Sequence, residues 1–306
     1  MDKSTSIVVG FWRRFFADFL DAIFLAIPGF GIGYLFRYTL SNLGSQALWI
    51  GLVCCLLYYG LQHAQFGRGQ TIGKRLLGIQ VLRRDGKYLS LGKSFLRYLV
   101  VAFVFYNGLY GSFINFLPPS AMMAVGSIFL LVVIWAFLAC FIMIPFHPLK
   151  RGLHDIVSGS VVVFKDTFDN EALDNMEDPD KVKRAMILLS AISLIFVGIF
   201  TFSLMKLTDG LSGDLGKLVE IQRFLSTEYS VPQVNSNIVN GKAESLSIVV
   251  FIPMASFEDK TRKEQIRHDV LNKVNANFNG LEQYGKLRVV ISSGFNIGIA
   301  SLSFND

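Results

Sequence analysis

Long apolar runs separated by short polar ones fill the chain as far as about residue 205, and a balanced, alternating pattern replaces them afterwards. Five runs have the length of a membrane span, ~20 residues for a ~30 Å hydrocarbon core. They lie at about 15–36, 46–63, 96–116, 121–146 and 185–205, and the last of them carries no charge. Pro28, with Gly29, Gly31 and Gly33, predicts a kink or an early end in the first, and Pro118-Pro119 predicts a tight hairpin between the third and fourth. Beyond Leu207 the pattern predicts a small α+β domain. Its elements are an amphipathic helix over Leu215–Tyr229, a buried strand at Ser247–Pro253, a long helix over Asp259–Phe278, and a terminal hairpin. The two strands of that hairpin, Lys286–Ser292 and Phe295–Ser303, are expected to turn at Ser293-Gly294. The fold class is therefore an α-helical polytopic membrane bundle with five predicted spans, followed by a small α+β extracytoplasmic domain. Its parts are a four-span membrane domain at 8–165, a cytoplasmic linker at 166–184, a fifth transmembrane helix at 185–206 and the outer domain at 207–306.

Composition agrees with this pattern. Of 306 residues, 52% are apolar and 17% charged, with 28 Phe, a balance unlike that of a soluble domain. The net charge of +6 resembles a nucleic-acid signal until its distribution is followed. Lys3, Arg13 and Arg14 precede the first span, and only Arg37 stands between the first and second. Arg68, Lys74, Arg75, Arg83, Arg84, Lys87 and Lys93 lie between the second and third; Lys150, Arg151, Lys165, Lys181, Lys183 and Arg184 lie before the fifth. Basic segments mark the cytoplasmic side. The N-terminus is thus expected inside and the C-terminal domain outside a bacterial inner membrane, with no nucleic-acid partner. Lys74, Arg75, Arg83 and Arg84 are expected to meet anionic inner-leaflet lipid headgroups.

The loops carry weaker signals. Asp85-Gly86 between Gly78–Leu82 and Lys87–Leu91 predicts a β-hairpin, and residues 148–163 are expected to lie at or dip into the interface. Gly67–Lys74 superficially resembles a phosphate-binding loop, but its spacing is one residue off and Arg75 stands where a magnesium-binding hydroxyl belongs. The acidic stretch 166–180 reads as a linker. Cys54, Cys55 and Cys140 all sit in apolar segments without metal or redox spacing and read as small buried hydrophobes. His268 and Asp269 have no second ligand at metal spacing. No metal or other cofactor is expected. An N-terminal signal peptide is rejected because Asp18 and Asp21 interrupt the apolar run and no small-residue cleavage site follows.

Those two acids are the candidate chemistry. Arg14, Asp18 and Asp21 share one face of the first helix, with Asp21 about 10 Å along from Arg14 at ~1.5 Å per residue. An Asp within a span costs roughly 2.5–3.5 kcal/mol on insertion scales, so that face should point into protein. Asp18, one turn from Arg14, is the expected local salt-bridge partner.

Three ordered motifs then resemble the RDD family of bacterial membrane proteins. They are Arg14-Phe-Phe-Ala-Asp-Phe-Leu-Asp21, Gly69-Gln-Thr-Ile-Gly-Lys-Arg-Leu-Leu-Gly78, and Arg151-Gly-Leu-His-Asp-Ile-Val-Ser-Gly-Ser160. The resemblance covers about 8–165 and leaves out the fifth span and outer domain. It implies that Arg14, Asp21 and Asp155 are the family's arginine and two aspartates, with Asp18 an additional acid and Ser160 a departure where Thr is more usual. It further implies transport, with exchange of a monovalent cation for a proton as the specific form. Asp21 would then be the exchanging group, and Arg14 with Asp155 a cytoplasmic gate pair. The alternative is a non-transporting scaffold or anchor. In it Arg14, Asp18, Asp21 and Asp155 form one internal ion-pair network, and the outer domain binds an envelope partner. A homo-oligomer fits the small number of spans. Enzyme chemistry is not expected, because Ser158 and Ser160 near His154 make no geometric case and the four His form no ligand set.

Overall fold

The computed structural model describes residues 7–106, 109, 119–176, short runs and single positions between 178 and 199, and 217–306 apart from 219, 240 and 241. The chain divides into two compact units, Met1–Phe30 with Leu48–Phe200 and Gly31–Ala47 with Thr201–Asp306.

Helix α1 (Phe11–Leu35) continues for 25 residues past Pro28, so the expected early end does not occur. An apolar helix tolerates Pro where nearby groups re-satisfy the freed carbonyl. Its faces divide sharply. Trp12, Phe15, Phe16, Phe19 and Phe24 are exposed, whereas Arg14, Ala17 and Asp21 are buried. Exposed aromatics opposite a buried charged stripe are the inverse of a soluble helix, and they suit a helix whose outer face meets lipid. After α2 (Arg37–Leu43) comes α3 (Leu48–His63). Two helical stretches among the described residues, Phe11–Leu35 and Arg37–His63, have the length and apolarity to cross a membrane; Ile128–Ile142 is a shorter apolar helix. The N-terminal region is thus helical with two candidate apolar spans among the described residues. The third predicted span begins early, as α5 (Leu91–Phe105), and carries Lys93 and Arg97. The expected Pro118-Pro119 turn lies outside the described residues except that Pro119 opens α6 (Pro119–Phe137). About half of the fifth predicted span lies outside the described residues; its described positions, between 187 and 199, are helical.

Between these helices the loops are folded. Thr71 caps the short helix α4 (Ile72–Leu76), its side chain accepting from the Lys74 N–H at 3.3 Å. Strand β1 (Ile79–Arg83) follows. Asp85-Gly86 does turn, with Gly86 at φ +76° and the Arg83 N–H on the Lys87 carbonyl at 2.8 Å. The expected hairpin nonetheless fails. β1 pairs instead with β2 (Ser160–Phe164), antiparallel and in register Ile79 to Phe164 through Arg83 to Ser160. Val161, Val162 and Val163 have no exposure, and two clusters flank the ribbon, one around Val8, Leu82 and Leu149, the other around Val9, Val81 and Leu89. Burial on both faces outbids the local turn. Residues 148–163 are folded as well: helix α7 (Leu153–Ser158) leads directly into β2. The predicted linker likewise contains α8 (Asn170–Met176), whose Leu173 is buried in the first of those clusters.

The C-terminal region is a small α+β fold. A four-stranded sheet in order β3 (Ser230–Val239), β4 (Lys242–Phe251), β5 (Lys286–Asn296), β6 (Ser301–Asn305) has one parallel pair, β4 with β5. The crossover carries α9 (Met254–Glu258) and α10 (Lys260–Asn277), as a parallel pair requires. Asp259 caps α10 by accepting from the Arg262 N–H at 3.1 Å. Ile266, Val270 and Val274 on α10 pack on Leu246, Ile248, Val250 and Ile291, together with Ile221 and Leu225 from the segment predicted as an amphipathic helix. The expected turn at Ser293-Gly294 is corrected, since β5 runs through it and the chain reverses at 297–300. A Cβ on Gly294 would stand 1.9 Å from the Leu302 carbonyl oxygen. Gly294 therefore marks a close approach of strands, not a bend. In this same unit Leu40 and Ala47 pack with Phe295, Ile297 and Ala300, and the Met254 N–H donates to Ser41 at 3.0 Å.

Candidate functional site

The predicted charged residues gather into two buried clusters rather than one. In the first, α7 presents Asp155 with no exposure, and three elements converge on it. Arg14 Nη1 from α1 lies 2.8 Å from Oδ2. Arg97 from α5 bonds Oδ1, and Ser160 at the start of β2 donates to the same oxygen at 3.1 Å while accepting from Arg97. The Gly152 N–H reaches Oδ2 at 3.1 Å. Arg14 is further tied by its Nε to the Val9 carbonyl at 3.0 Å. A single carboxylate thus joins the chain's first helix to elements 80 and 140 residues downstream on the order of sequence distance that loop closure makes costly to order. Gly152 is needed here because a Cβ would fall 2.1 Å from the Cys140 carbonyl oxygen.

Burial pushes the Asp155 carboxyl up. Arg97, His154, Arg14 and the Gly152 N–H outweigh that and hold it well below the usual carboxylate range. His154, 3.6 Å from Asp155, goes the other way: burial pushes its imidazole down to about 4 despite the pull of Asp155. At neutral pH His154 is therefore uncharged, and the two guanidiniums carry the compensation.

A pH dependence follows from these directions. Between about pH 6.5, where an unfolded His titrates, and about 4, the unfolded chain takes up a proton at His154 that the folded chain refuses. Stability is therefore present above that window and falls as pH drops through it, by roughly 3 kcal/mol from this group. The Asp155 contribution is lost only at lower pH, below the unfolded carboxyl range. Thermal unfolding of the detergent-solubilised protein from pH 7 to 4.5 should show the loss, and His154→Phe should flatten it. Equal slopes for the two proteins would remove His154 as the cause.

The second cluster is built on Asp21, also without exposure. Tyr58 Oη on α3 donates to Oδ1 at 2.7 Å, the Gly73 N–H of α4 donates to the same oxygen at 2.8 Å, and Thr71 Oγ1 donates to Oδ2 at 2.5 Å. Among the described residues no cation lies within ion-pair distance of Asp21.

Asp18 is where the sequence reading is corrected. It pairs with Lys74 Nζ at 2.6 Å, not with Arg14. Helical side chains lean toward their own N-terminus, which carries Arg14 toward Val9 and Asp155 and away from Asp18. The same bond corrects Lys74, which is buried against Asp18 and does not face headgroups. Arg75 is exposed and bonds the Gly67 carbonyl, while Arg83 pairs with Asp85 and Arg84 with Asp174. Sequence reasoning passed over Arg97, Tyr58, Thr71 and Gly73. Arg97 had a usable signal, a charge inside an apolar run; Tyr58 had none.

These features define a class: a helical protein of membrane type whose first apolar helix supplies an arginine and aspartates to buried polar clusters closed by residues from later loops. The chain belongs to the RDD family. The RDD family profile matches residues 8–159. Two Bacillus subtilis (strain 168) proteins are similar to it. The uncharacterized protein YxaI is 29% identical, with 51% of this chain and 97% of the relative covered. The uncharacterized protein YckC is 30% identical, with 51% of this chain and 83% of the relative covered. No solved structure matches. Apart from Ser160, one position beyond the match, both clusters fall within the matched residues, and the C-terminal α+β region falls outside them.

Proposed function

We propose that the chain exchanges a monovalent cation for protons across a bacterial inner membrane, with Asp21 as the carboxylate for which the two compete. One observation carries this reading: Asp21 is a fully buried acid whose partners, Tyr58, Thr71 and Gly73, are all neutral. An unpaired acid in a membrane protein marks a working site by default. The Tyr58 and Thr71 hydroxyls each hold lone pairs as well as a proton, so by rotating the O–H they can face either a protonated carboxyl or a bound cation. Asp155, held by two guanidiniums, is the fixed anchor instead. The orientation with N-terminus and basic segments inside and the C-terminal domain outside is supported by the Lys/Arg distribution. It is also supported by the grouping of Gly31–Ala47, the end of the first apolar helix and the start of the second, with the C-terminal domain in one unit.

A second reading has its own support. Thr71 and Gly73 stand at the start of α4, so Asp21 also serves as a latch holding that helix against α1. On this reading the membrane part is a scaffold, and the C-terminal domain binds an envelope partner.

Liposomes containing the full chain separate the two. Internal pH is followed as sodium, lithium or potassium is added outside, for the wild type and for Asp21→Asn. The proposal expects cation-driven proton movement in the wild type and its loss in a folded Asp21→Asn. Absence of movement in the wild type removes the exchange reading, and movement retained in Asp21→Asn removes Asp21 from it.

A further inference from the structure

Three exposed cations come together at the turn that follows α4. Arg13 Nε donates to the Leu77 carbonyl at 2.9 Å, and the Arg13 guanidinium lies over the Phe164 ring at 4.8 Å. The Lys165 N–H donates to the Gly78 carbonyl at 2.9 Å, and Arg75 stands two residues before Leu77 on α4. The start of α1, the end of α4 and the end of β2 are held together in this way. All three side chains are exposed, and among the described residues none of them pairs with a carboxylate. That separates them from Lys74, Arg83 and Arg84, whose charges are met by Asp18, Asp85 and Asp174. The next acid in the chain, Asp166, turns at φ +62° and lines a cleft with Tyr88 and Phe168.

Apolar neighbours set the depth of this turn. Trp12, 68% exposed, stands beside Arg13 at the start of α1, and the exposed Phe15, Phe16 and Phe19 continue along the helix. A Trp at the mouth of an apolar helix sits at headgroup level, and Arg13, only ~1.5 Å further along, shares that level. Its bonds to Leu77 and Phe164 bring the turn and the end of β2 there as well. Leu76, directly before Leu77, is 62% exposed. A Cβ on Gly78 would meet nothing within 4 Å, so the outer side of the turn is open. With Nε held by Leu77, both Nη groups of Arg13 remain as donors, in the planar arrangement that matches a phosphate. Unneutralised cations beside an exposed leucine suit a ligand that carries a negative headgroup and acyl chains together.

We propose that this turn binds an anionic phospholipid, its phosphate on Arg13 and Lys165, with Arg75 at the edge and Leu76 among the acyl chains. Of these cations only Arg75 was expected at headgroups from the sequence. The site is independent of the exchange reading of Asp21.

The test uses the full chain in detergent with equal amounts of phosphatidylglycerol and phosphatidylethanolamine, the retained lipids being counted by native mass spectrometry. The wild type should retain phosphatidylglycerol in preference. A cation near the surface is worth about fivefold in affinity for anionic lipid, so Arg13→Gln with Lys165→Gln should reduce the preference by roughly tenfold or more. Arg83→Gln with Arg84→Gln removes the same charge elsewhere and should leave the preference close to that of the wild type. No preference in the wild type, an undiminished one in the first double variant, or an equal loss in the second overturns the site. Glycerol phosphate carries the anion without acyl chains; if it displaces the lipid at equal concentration, the site takes a soluble anion and the assignment to lipid falls. Should the first double variant fail to fold, Arg75→Gln with Lys165→Gln replaces it, because the Arg13 bonds to Leu77 and Phe164 then stay in place. A preference undiminished in that variant is equally decisive against the proposal.

Discussion

Asp155→Asn is expected to lose about 3–5 kcal/mol of stability, the cost of breaking a buried ion pair from one side. The reason lies in the count of charges around it. Arg14 and Arg97 are both buried, at 4% and 5% exposure, and Asp155 is the one acid that bonds either of them among the described residues. Asparagine keeps the shape and one accepting oxygen but leaves two guanidiniums without countercharge, and its amide group points a donor at donors. The unfolding midpoint in detergent should fall by roughly 10 °C, with a parallel fall in the monodisperse fraction on size exclusion. The paired variant Arg97→Met with Asp155→Asn should recover part of the loss, because it removes one of the two stranded charges. A double variant no more stable than Asp155→Asn alone would show that the damage comes from elsewhere, such as the Gly152 N–H.

The second large effect is expected from a single methyl group. Gly73→Ala places a Cβ 2.0 Å from the Ala17 carbonyl oxygen and 3.1 Å from Asp21 Oδ1. Neither the helix backbone of α1 nor a carboxylate held by three donors can move aside cheaply. α4 must shift away, which stretches the 2.8 Å bond from the Gly73 N–H to Asp21. Overpacking combined with a weakened charge-assisted bond should cost about 3 kcal/mol. Gly78→Ala makes a useful comparison. Its Cβ would meet nothing within 4 Å, although its φ of +61° carries a backbone strain of its own, of about 1 kcal/mol. Stability measured side by side should therefore rank Gly73→Ala well below Gly78→Ala. The reverse order would contradict the close packing of α4 on α1.

How much of this was legible in the chain differs from residue to residue. The alternation of apolar runs and basic segments announced a helical membrane-type region, because lipid imposes one length and one composition on anything that crosses it. The helix α10 and the buried strand β4 were legible too, the strand through a short continuous apolar run and the helix through its length, both local properties. The inward face of α1 could be read from Arg14 and Asp21 at helical spacing. What local pattern could not yield was partner choice. β1 has a good turn after it and still pairs with β2, about 80 residues on, because burial of both faces of a valine strand outweighs the turn. Asp18 and Lys74 read as unrelated charges until α4 folds back on α1. Gly294 looked like a turn and is a point of strand contact.

By itself, then, the sequence determined the membrane-type architecture, the separate α+β region and the shared helix face of Arg14, Asp18 and Asp21, since each depends on composition or on spacing within one element; Asp155 was pointed to only by the family resemblance. Only the tertiary structure decided that Asp155 is held by Arg14 together with Arg97, and that Asp21 is ringed by neutral donors. Ion pairs and hydrogen bonds act over a few ångströms in space. Residues 14, 97 and 155 come that close only after the loops between the helices have folded.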